Sequence, residues 1–210
     1  MKKALIKVFF LLAIVMLNQN ALATDRSITS KLTDALRGSN TEEILSLIND
    51  AKGLSYQEEI IPFMYGLWKG EELPVGISPV LIKKDIIRIN IADFLVQAAK
   101  NGLVEIDEKE LQLFAQKVLS SGDTEAISSA LFVLAHIDDP NDVNRIEIFI
   151  FYKSDFLFRS ATLSLAMMCN KLAEKSLEKL ERKVSDSRRE YLIESREKFR
   201  SMKQKGFNCH

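Results

Sequence analysis

Helical segments bounded by glycines limit what this chain can fold into more than any other feature. Apolar residues recur at a spacing near 3.6 through most of the sequence, and seven of the eight glycines stand where such a segment stops or in a short connector. Glycine ends helices readily because it adopts the left-handed conformation without a Cβ penalty. Residues that favour a helix start follow several of these glycines; Asp123, for example, directly follows Gly122. The pattern predicts an all-α protein.

We expect about nine or ten helices in this chain. The segments are 27–37, 41–51, 56–69, 79–100, 107–121, 124–136, 140–152, 155–170, 172–184 and 187–205. Four prolines and eight glycines in 210 residues are too few turn-formers for a many-stranded sandwich. Residues 146–152 are rich in β-branched and aromatic types, which would suit a strand. Because no second strand exists to pair with them, we interpret them as a buried helix in the centre of a helical stack.

The first 23 residues have the three zones of a secretory signal peptide. Three lysines form a basic start, residues 8–17 are all apolar, and residues 21–23 (Ala-Leu-Ala) suit a cleavage site. Ten apolar residues are about half of what crosses a bilayer, so we expect no stable membrane anchor after cleavage. We expect the mature chain, 24–210, in the periplasm, with secretion to the medium as the alternative.

Similar helix starts recur every 31 to 38 residues in the middle of the chain. The segment 130–135 (Ala-Leu-Phe-Val-Leu-Ala) is echoed 31 positions later at 161–166 (Ala-Thr-Leu-Ser-Leu-Ala). With Asp155 and Arg159 ahead of it, the second copy resembles the first helix of a HEAT-like repeat, in which an Asp and an Arg bridge neighbouring repeats. The resemblance implies a short right-handed α–α superhelix over 78–185, with Asp155 and Arg159 as structural ladder residues.

An irregular helical bundle with chance Ala/Leu similarity is the alternative to that resemblance. In the repeat interpretation the mature chain is one domain. Residues 24–77 form N-terminal helices, the repeats follow over 78–185, and 186–210 form a C-terminal capping helix and tail.

Two cysteines, Cys169 and Cys209, are the only ones in the chain. In an exported protein pairing is the default. The two helices expected between them, of about 13 and 19 residues, run out and back, and Gly206 lets the last residues fold towards Cys169. We predict a Cys169–Cys209 disulfide, with a buried thiol and a free C-terminal thiol as the alternative.

Titratable groups that converge on one place in the sequence are few. His136, Asp138, Asp139 and Asp142 lie within seven residues, but the central Gly of a calcium loop and the extra N/S ligands of a zinc site are missing. We interpret them as a helix-to-helix turn whose acids cap the next helix. The sequence also lacks a Gly-rich phosphate loop, G-x-S-x-G and H-E-x-x-H. We therefore expect no catalytic residue, no metal and no cofactor.

Charge is unevenly divided along the mature chain. Residues 24–170 carry 14 basic and 22 acidic residues, net −8, whereas 171–205 carry 12 and 7, net +5. Acidic residues interspersed among the C-terminal basic ones dilute the field that a nucleic acid or a membrane surface would need. We expect this end to cap the stack, and we expect no nucleic-acid partner.

An aromatic run at 60–68 contains the only Trp. Aromatic side chains of this kind are enriched in protein-binding hot spots, so Phe63, Tyr65 and Trp68 are candidate partner-binding residues. The alternative, which we favour, is that they belong to an N-terminal core.

These observations favour an exported helical-repeat module that binds another protein, and not an enzyme. Two versions are an immunity or inhibitor protein against an envelope toxin or hydrolase, and an adaptor for an envelope complex. The alternative is a helical hydrolase of an envelope polymer, which needs two carboxylates in one cleft. The carboxylates considered for it are Glu58, Glu59, Glu71, Glu72, Asp138 and Asp139.

Overall fold

A computed structural model describes residues 28–53, 60–71 and 73–204, with side chains as far as residue 201. The chain divides into two compact units, which meet in the sequence between Lys83 and Lys84. Within the described ranges every regular element is a helix and no strand occurs. The predicted all-α class is therefore confirmed.

The first unit contains four described helices. They are α1 (28–38), α2 (Thr41–Gly53), α3 (Ile60–Lys69) and the one-turn α4 (Pro79–Ile82). Helices α1 to α3 each contribute to the core a pair of side chains four residues apart, which is the spacing that shares one helix face. These pairs are Leu32 and Leu36, Ile44 and Ile48, and Met64 and Trp68, all at most 2% exposed.

The second unit contains seven helices and one turn of 3-10 helix in the described residues. The helices are α5 (Asp85–Lys100), α6 (Glu108–Val118), α7 (Thr124–Ile137), α8 (Val143–Ile150), α9 (Asp155–Met167), α10 (Lys171–Leu180) and α11 (Asp186–Gln204). The 3-10 turn covers Pro140–Asp142, directly before α8. Gly122 has a φ of +81°, and Asp123 then caps α7 by accepting hydrogen bonds from two backbone N–H groups. The start signal read from the sequence at Asp123 is therefore confirmed.

Helices of the second unit pack in an alternating order. Helix α5 packs on α7, α7 on α9 and α9 on α11, while α6 lies against α5 and α7, α8 against α9, and α10 against α8, α9 and α11. Ala130 and Ala161, from the two echoed segments, are fully buried on the neighbouring helices α7 and α9. Side-by-side helical hairpins have this contact pattern. The right-handed superhelix and the HEAT-like resemblance stay predictions.

Two predicted segments differ from the structure. The segment 79–100 is two helices, because Lys84 adopts an extended ψ of 128° and α5 restarts at Asp85. Neither of the lysines between α4 and α5 is a helix breaker, so the sequence has no local signal for this break. The prediction that 146–152 forms a helix and not a strand is confirmed for 146–150, which lie in α8. The predicted burial is only partly correct, because Ile148 is exposed and the exposed Phe151 and Tyr152 follow the end of the helix.

Candidate functional site

Four large apolar side chains are about half exposed where α8 is joined to α9. Ile148 is 59% exposed, Phe151 55%, Tyr152 43% and Phe156 51%. We call residues 148–156 the aromatic turn. Half of the surface of three aromatic side chains and one isoleucine is on the order of 400 Å². This exposed apolar area, which comes from nine consecutive residues, is in the range of the largest apolar patch of a typical monomer, and such patches are often functional.

The geometry of α8 explains why these side chains point outwards. Val143, Ile146 and Ile150 are three and four residues apart and face the core, with Phe149 beside them. Ile148 therefore lies on the opposite face of the helix. The helix ends at Ile150, so Phe151 and Tyr152 lie in the connection to α9 and are not part of the buried face of α8.

One arginine of α11 holds the backbone of the aromatic turn. Arg188 Nη1 donates to the carbonyl oxygens of Ile150 and Tyr152 at 3.3 and 2.9 Å, and Nη2 donates to that of Lys153 at 3.3 Å. The same guanidinium binds Asp155 Oδ1 at 2.8 Å. Arg donors form a planar fork, so one side chain fixes four acceptors at once.

Ring contacts add to this support from both sides of the connection. The Arg188 guanidinium lies over the Phe158 ring, 4.6 Å from its centroid. The Phe149 and Tyr152 rings lie 4.7 Å apart, so Tyr152 is anchored on a buried neighbour while part of it stays exposed. Side chains held in place before binding lose less conformational entropy in a complex. The aromatic turn therefore has the composition and the support of a binding surface.

The cluster of His136 and three aspartates forms a second turn, between α7 and α8, which we call the acidic turn (residues 136–142). Asp138 has a φ of +61° and ends α7. Its Oδ1 accepts hydrogen bonds from Cys169 N at 3.0 Å and Asn170 Nδ2 at 2.7 Å. This carboxylate joins the end of α7 to the connection between α9 and α10.

Asp142, at the end of the acidic turn, is completely buried. Its carboxylate accepts hydrogen bonds from Gln112 Nε2 and Gln116 Nε2 of α6, both at 2.7 Å, and pairs with Arg145 Nε at 3.2 Å. A buried charge requires such partners, because its desolvation is otherwise costly. Asp142 therefore ties α6 to the start of α8.

Asp139 caps the 3-10 turn, as the sequence predicts for an acid of this cluster. Its Oδ1 accepts from Asn141 N at 2.9 Å, and its Oδ2 accepts from Gln112 Nε2 at 2.6 Å. The backbone N–H of Asn141, and after it the Gln112 amide, hold the pKa of the Asp139 carboxyl below its ordinary value. His136 faces α5, with Nε2 3.9 Å from Asp93 Oδ1. In the described residues no group of three or more His, Cys, Asp or Glu side chains can hold a metal ion.

The two candidate ladder residues both reach α11. Asp155 pairs with Arg188, and the Arg159 guanidinium lies 5.2 Å from the centroid of the Tyr191 ring. Asp155 at the start of α9 is thus linked to α11 through Arg188, which lies 33 residues further along the chain.

The candidate partner-binding residues on α3 differ in exposure. Trp68 is 2% exposed, whereas Phe63 and Tyr65 are half-buried. Trp68 therefore belongs to the core of the first unit, in line with the alternative reading of this aromatic run. Phe63 and Tyr65 remain candidates.

Cys169 lies in the connection between α9 and α10. The described part of the chain has no free cysteine. Cys209 lies outside the described residues, so the Cys169–Cys209 pairing stays a prediction.

The carboxylates considered for a hydrolase fall in several places. Glu58, Glu59 and Glu72 lie outside the described residues, and Glu71 is exposed in the first unit. Asp138 and Asp139 accept the hydrogen bonds given above. None of the described members lines the pocket formed by α9, α10 and α11.

Four arginines at the basic C-terminal end pair with carboxylates of the same chain. Besides Arg188, these are Arg189 with Asp186 at 2.8 Å, Arg196 with Glu181, and Arg200 with Glu174 at 2.6 Å. The hydrogen bond and the charge of Glu174 raise the pKa of Arg200 above its ordinary value. Four of the twelve basic residues of 171–205 are therefore paired within the second unit. None of the described helices is long and apolar enough to cross a membrane.

Sequence reasoning missed the aromatic turn and Arg188. One signal was available at Ser154-Asp155, because Ser154 Oγ caps α9 by accepting from Leu157 N at 3.4 Å. A helix that starts at this cap leaves the aromatic residues just before it in a connection, where they are easily exposed. Arg188 gave no signal, since its acceptors are carbonyls 35 to 38 residues away.

No protein family, curated protein or solved structure matches this chain.

Proposed function

We propose that the mature chain is an exported, periplasmic interaction module that binds another protein through the aromatic turn, and that it is not an enzyme. The observation that carries this proposal is the exposure of Ile148, Phe151, Tyr152 and Phe156 on a backbone held by Arg188. The export part of the proposal rests on the three zones of residues 1–23.

Hot spots of protein interfaces are enriched in aromatic anchors surrounded by polar groups. Lys153, Asp155 and Arg159 are exposed within or beside the aromatic turn and supply such a rim. A standard interface buries about 800 Å² on each partner, so an apolar patch on the order of 400 Å² is large enough for its centre. The partner that would bind the aromatic turn is a protein with an apolar groove or pocket.

Two versions of the proposal differ in the partner and in the strength of binding. An immunity or inhibitor protein binds one toxin or hydrolase tightly and at equal stoichiometry, and abolishes its activity. An adaptor for an envelope complex binds a non-catalytic component and changes assembly instead. Identification of the captured protein separates the two.

Affinity capture from periplasm tests the binding surface. The tagged chain is exported with its own leader, and proteins that copurify with the wild type are compared with those from the double variant Phe151→Ser/Phe156→Ser. We expect one specific partner with the wild type and about a tenfold loss with the double variant, because both changes remove half-exposed aromatic contacts without creating a core cavity.

Leu113→Ser is the matched control, since Leu113 is 54% exposed on α6, away from the aromatic turn in the sequence. It should capture the partner as the wild type does. Equal recovery with the double variant, or no specific protein with any version, would contradict the proposal. Export is tested separately. The protein recovered from the periplasm should begin at Thr24, and a protein that stays in the cytoplasm with residues 1–23 still attached would overturn the proposal of export.

A further inference from the structure

Arg159, in the second turn of α9, is exposed, and its charge is not paired with a carboxylate of the described residues. Asp155 lies four residues earlier, which is the spacing at which an acid and a base on one helix meet. Asp155 instead pairs with Arg188, whose Nη2 lies 2.8 Å from Asp155 Oδ1. The pairing of Asp155 with α11 therefore leaves the positive charge of Arg159 uncompensated at the surface.

Ring contacts nevertheless hold the Arg159 guanidinium in place. It lies 5.2 Å from the centroid of the Tyr191 ring, and that ring lies 5.9 Å from the ring of the buried Phe158. The N–H groups of Arg159 have no hydrogen-bond acceptor in the part of the chain that the structure describes. A guanidinium that is stacked in this way presents its planar fork of donors, which matches the two oxygens of a carboxylate.

Arg159 and Lys153 lie at the edge of the aromatic turn. Arg159 follows the half-exposed Phe156 by three residues, so the two side chains share one face of α9. Lys153 is exposed within the turn and also lacks a carboxylate partner among the described residues. Glu147, the acid on α8 nearest to the turn in the sequence, accepts a hydrogen bond from Ser176. The exposed aromatic side chains are therefore accompanied by two unpaired cations.

We propose that the partner of the aromatic turn is a protein whose apolar groove is edged by carboxylates, and that Arg159 pairs with one of them. This inference rests on the proposed function, because it specifies the chemistry of the partner at the same surface. Opposite charges at the edge of an interface exclude wrong partners and fix the register of binding. The net charge of −8 over residues 24–170 disfavours a polyanion such as a nucleic acid, so the acceptors that suit these two cations are carboxylates of a protein groove.

The affinity of charge variants tests the proposed pair. The protein that copurifies with the wild-type chain is itself purified and titrated with variants of the mature chain. Arg159→Gln should weaken binding about threefold, and Arg159→Glu about tenfold, because the second change places like charges opposite each other. At about 1 M salt, where the Debye length is about 3 Å, the difference between the wild type and Arg159→Glu should become smaller.

Lys171→Glu is the matched control, since it makes the same change of charge at an exposed residue. Lys171 begins α10, beyond the far end of α9, and should alter the affinity by less than about twofold. If Arg159→Glu binds like Lys171→Glu while Phe151→Ser/Phe156→Ser has lost binding, this inference is overturned and the proposed function stands. Equal binding by all these variants, or no specific partner for the wild type, would overturn both.

Crosslinking with a carbodiimide tests the chemistry of the partner without a reversal of charge. This reagent joins an amine directly to a carboxylate with which it is in contact. By mass spectrometry of the complex, we expect Lys153 in the wild type and position 159 in Arg159→Lys to be linked to Asp or Glu side chains of the partner, and Lys171 not to be. A complex that forms without such links at positions 153 and 159 would contradict the proposed acidic groove.

Discussion

The acidic turn and the aromatic turn both join helices of the second unit, and they arrange their side chains in opposite ways. In the acidic turn, Asp138 and Asp142 accept hydrogen bonds from other elements, and Asp142 is fully buried. In the aromatic turn, Phe151 and Phe156 are half exposed, and it is the backbone that other elements hold, through Arg188.

The difference separates a structural connection from a surface available for binding. A carboxylate is well solvated in water, and its burial costs free energy unless it is paired. We therefore interpret the buried Asp142 as a structural link between α6 and α8. Removal of apolar side chains from water is favourable, so a partner that covers the exposed aromatic side chains would gain binding free energy. The following variants test this comparison, in order of their expected effect on the free energy of unfolding.

Among the substitutions of polar residues, Asp142→Ala should give the largest loss of stability. It removes a buried acceptor and leaves the Gln112 and Gln116 amides and the Arg145 guanidinium without it. We expect the free energy of unfolding to fall by about 3 kcal/mol, measured by urea denaturation of the mature protein.

Asp186→Ala is the control for that variant, because Asp186 also pairs with an arginine three residues later but is 94% exposed. Its effect should stay below about 1 kcal/mol. Equal losses from the two aspartates would mean that the acidic turn does not tie the helices of the second unit together.

Arg188→Gln should cost about 1–2 kcal/mol, since it loses charged hydrogen bonds to several carbonyls of the aromatic turn. Hydrogen–deuterium exchange should rise in residues 150–155. Arg189→Gln is a neighbouring control, because Arg189 instead donates to the Glu181 carbonyl at 2.7 Å. Faster exchange in the aromatic turn with Arg189→Gln, or none with Arg188→Gln, would remove Arg188 from its supporting role.

Asp139→Asn should have a smaller, pH-dependent effect, below about 1 kcal/mol at pH 7. The pKa of Asp139 is lowered from an ordinary 3.8 in the folded protein. The carboxylate therefore stabilises the fold above that value, and its contribution is lost as the pH falls through the folded pKa. Thermal unfolding of both proteins between pH 7 and pH 2 should show curves that converge at acid pH; a constant gap would contradict the assignment.

Phe151→Ser should change the free energy of unfolding by less than about 0.5 kcal/mol, because its side chain is already 55% exposed. Phe149→Ser, only two residues away but 4% exposed, should cost about 3 kcal/mol or more. Urea denaturation of the pair tests where α8 stops burying its aromatic residues. Similar losses from both would mean that the aromatic turn is part of the core.

The sequence was sufficient for the helical class and for most helix starts, because these depend on local signals. The cap at Asp123 and the buried Ala130 and Ala161 are examples. Local signals failed where the outcome depends on distant partners. The break at Lys84 has no breaker residue, and the outward direction of Phe151 depends on where α8 stops and on carbonyl contacts with Arg188.

Site-specific photo-crosslinking in living cells tests the central claim most directly. A photoreactive phenylalanine analogue replaces Phe156 of the aromatic turn or, as a control, the similarly exposed Leu172 of α10. We expect irradiation to join position 156, but not position 172, to one specific protein of the cell envelope. The absence of any crosslinked protein at position 156, or the same products at both positions, would contradict the account.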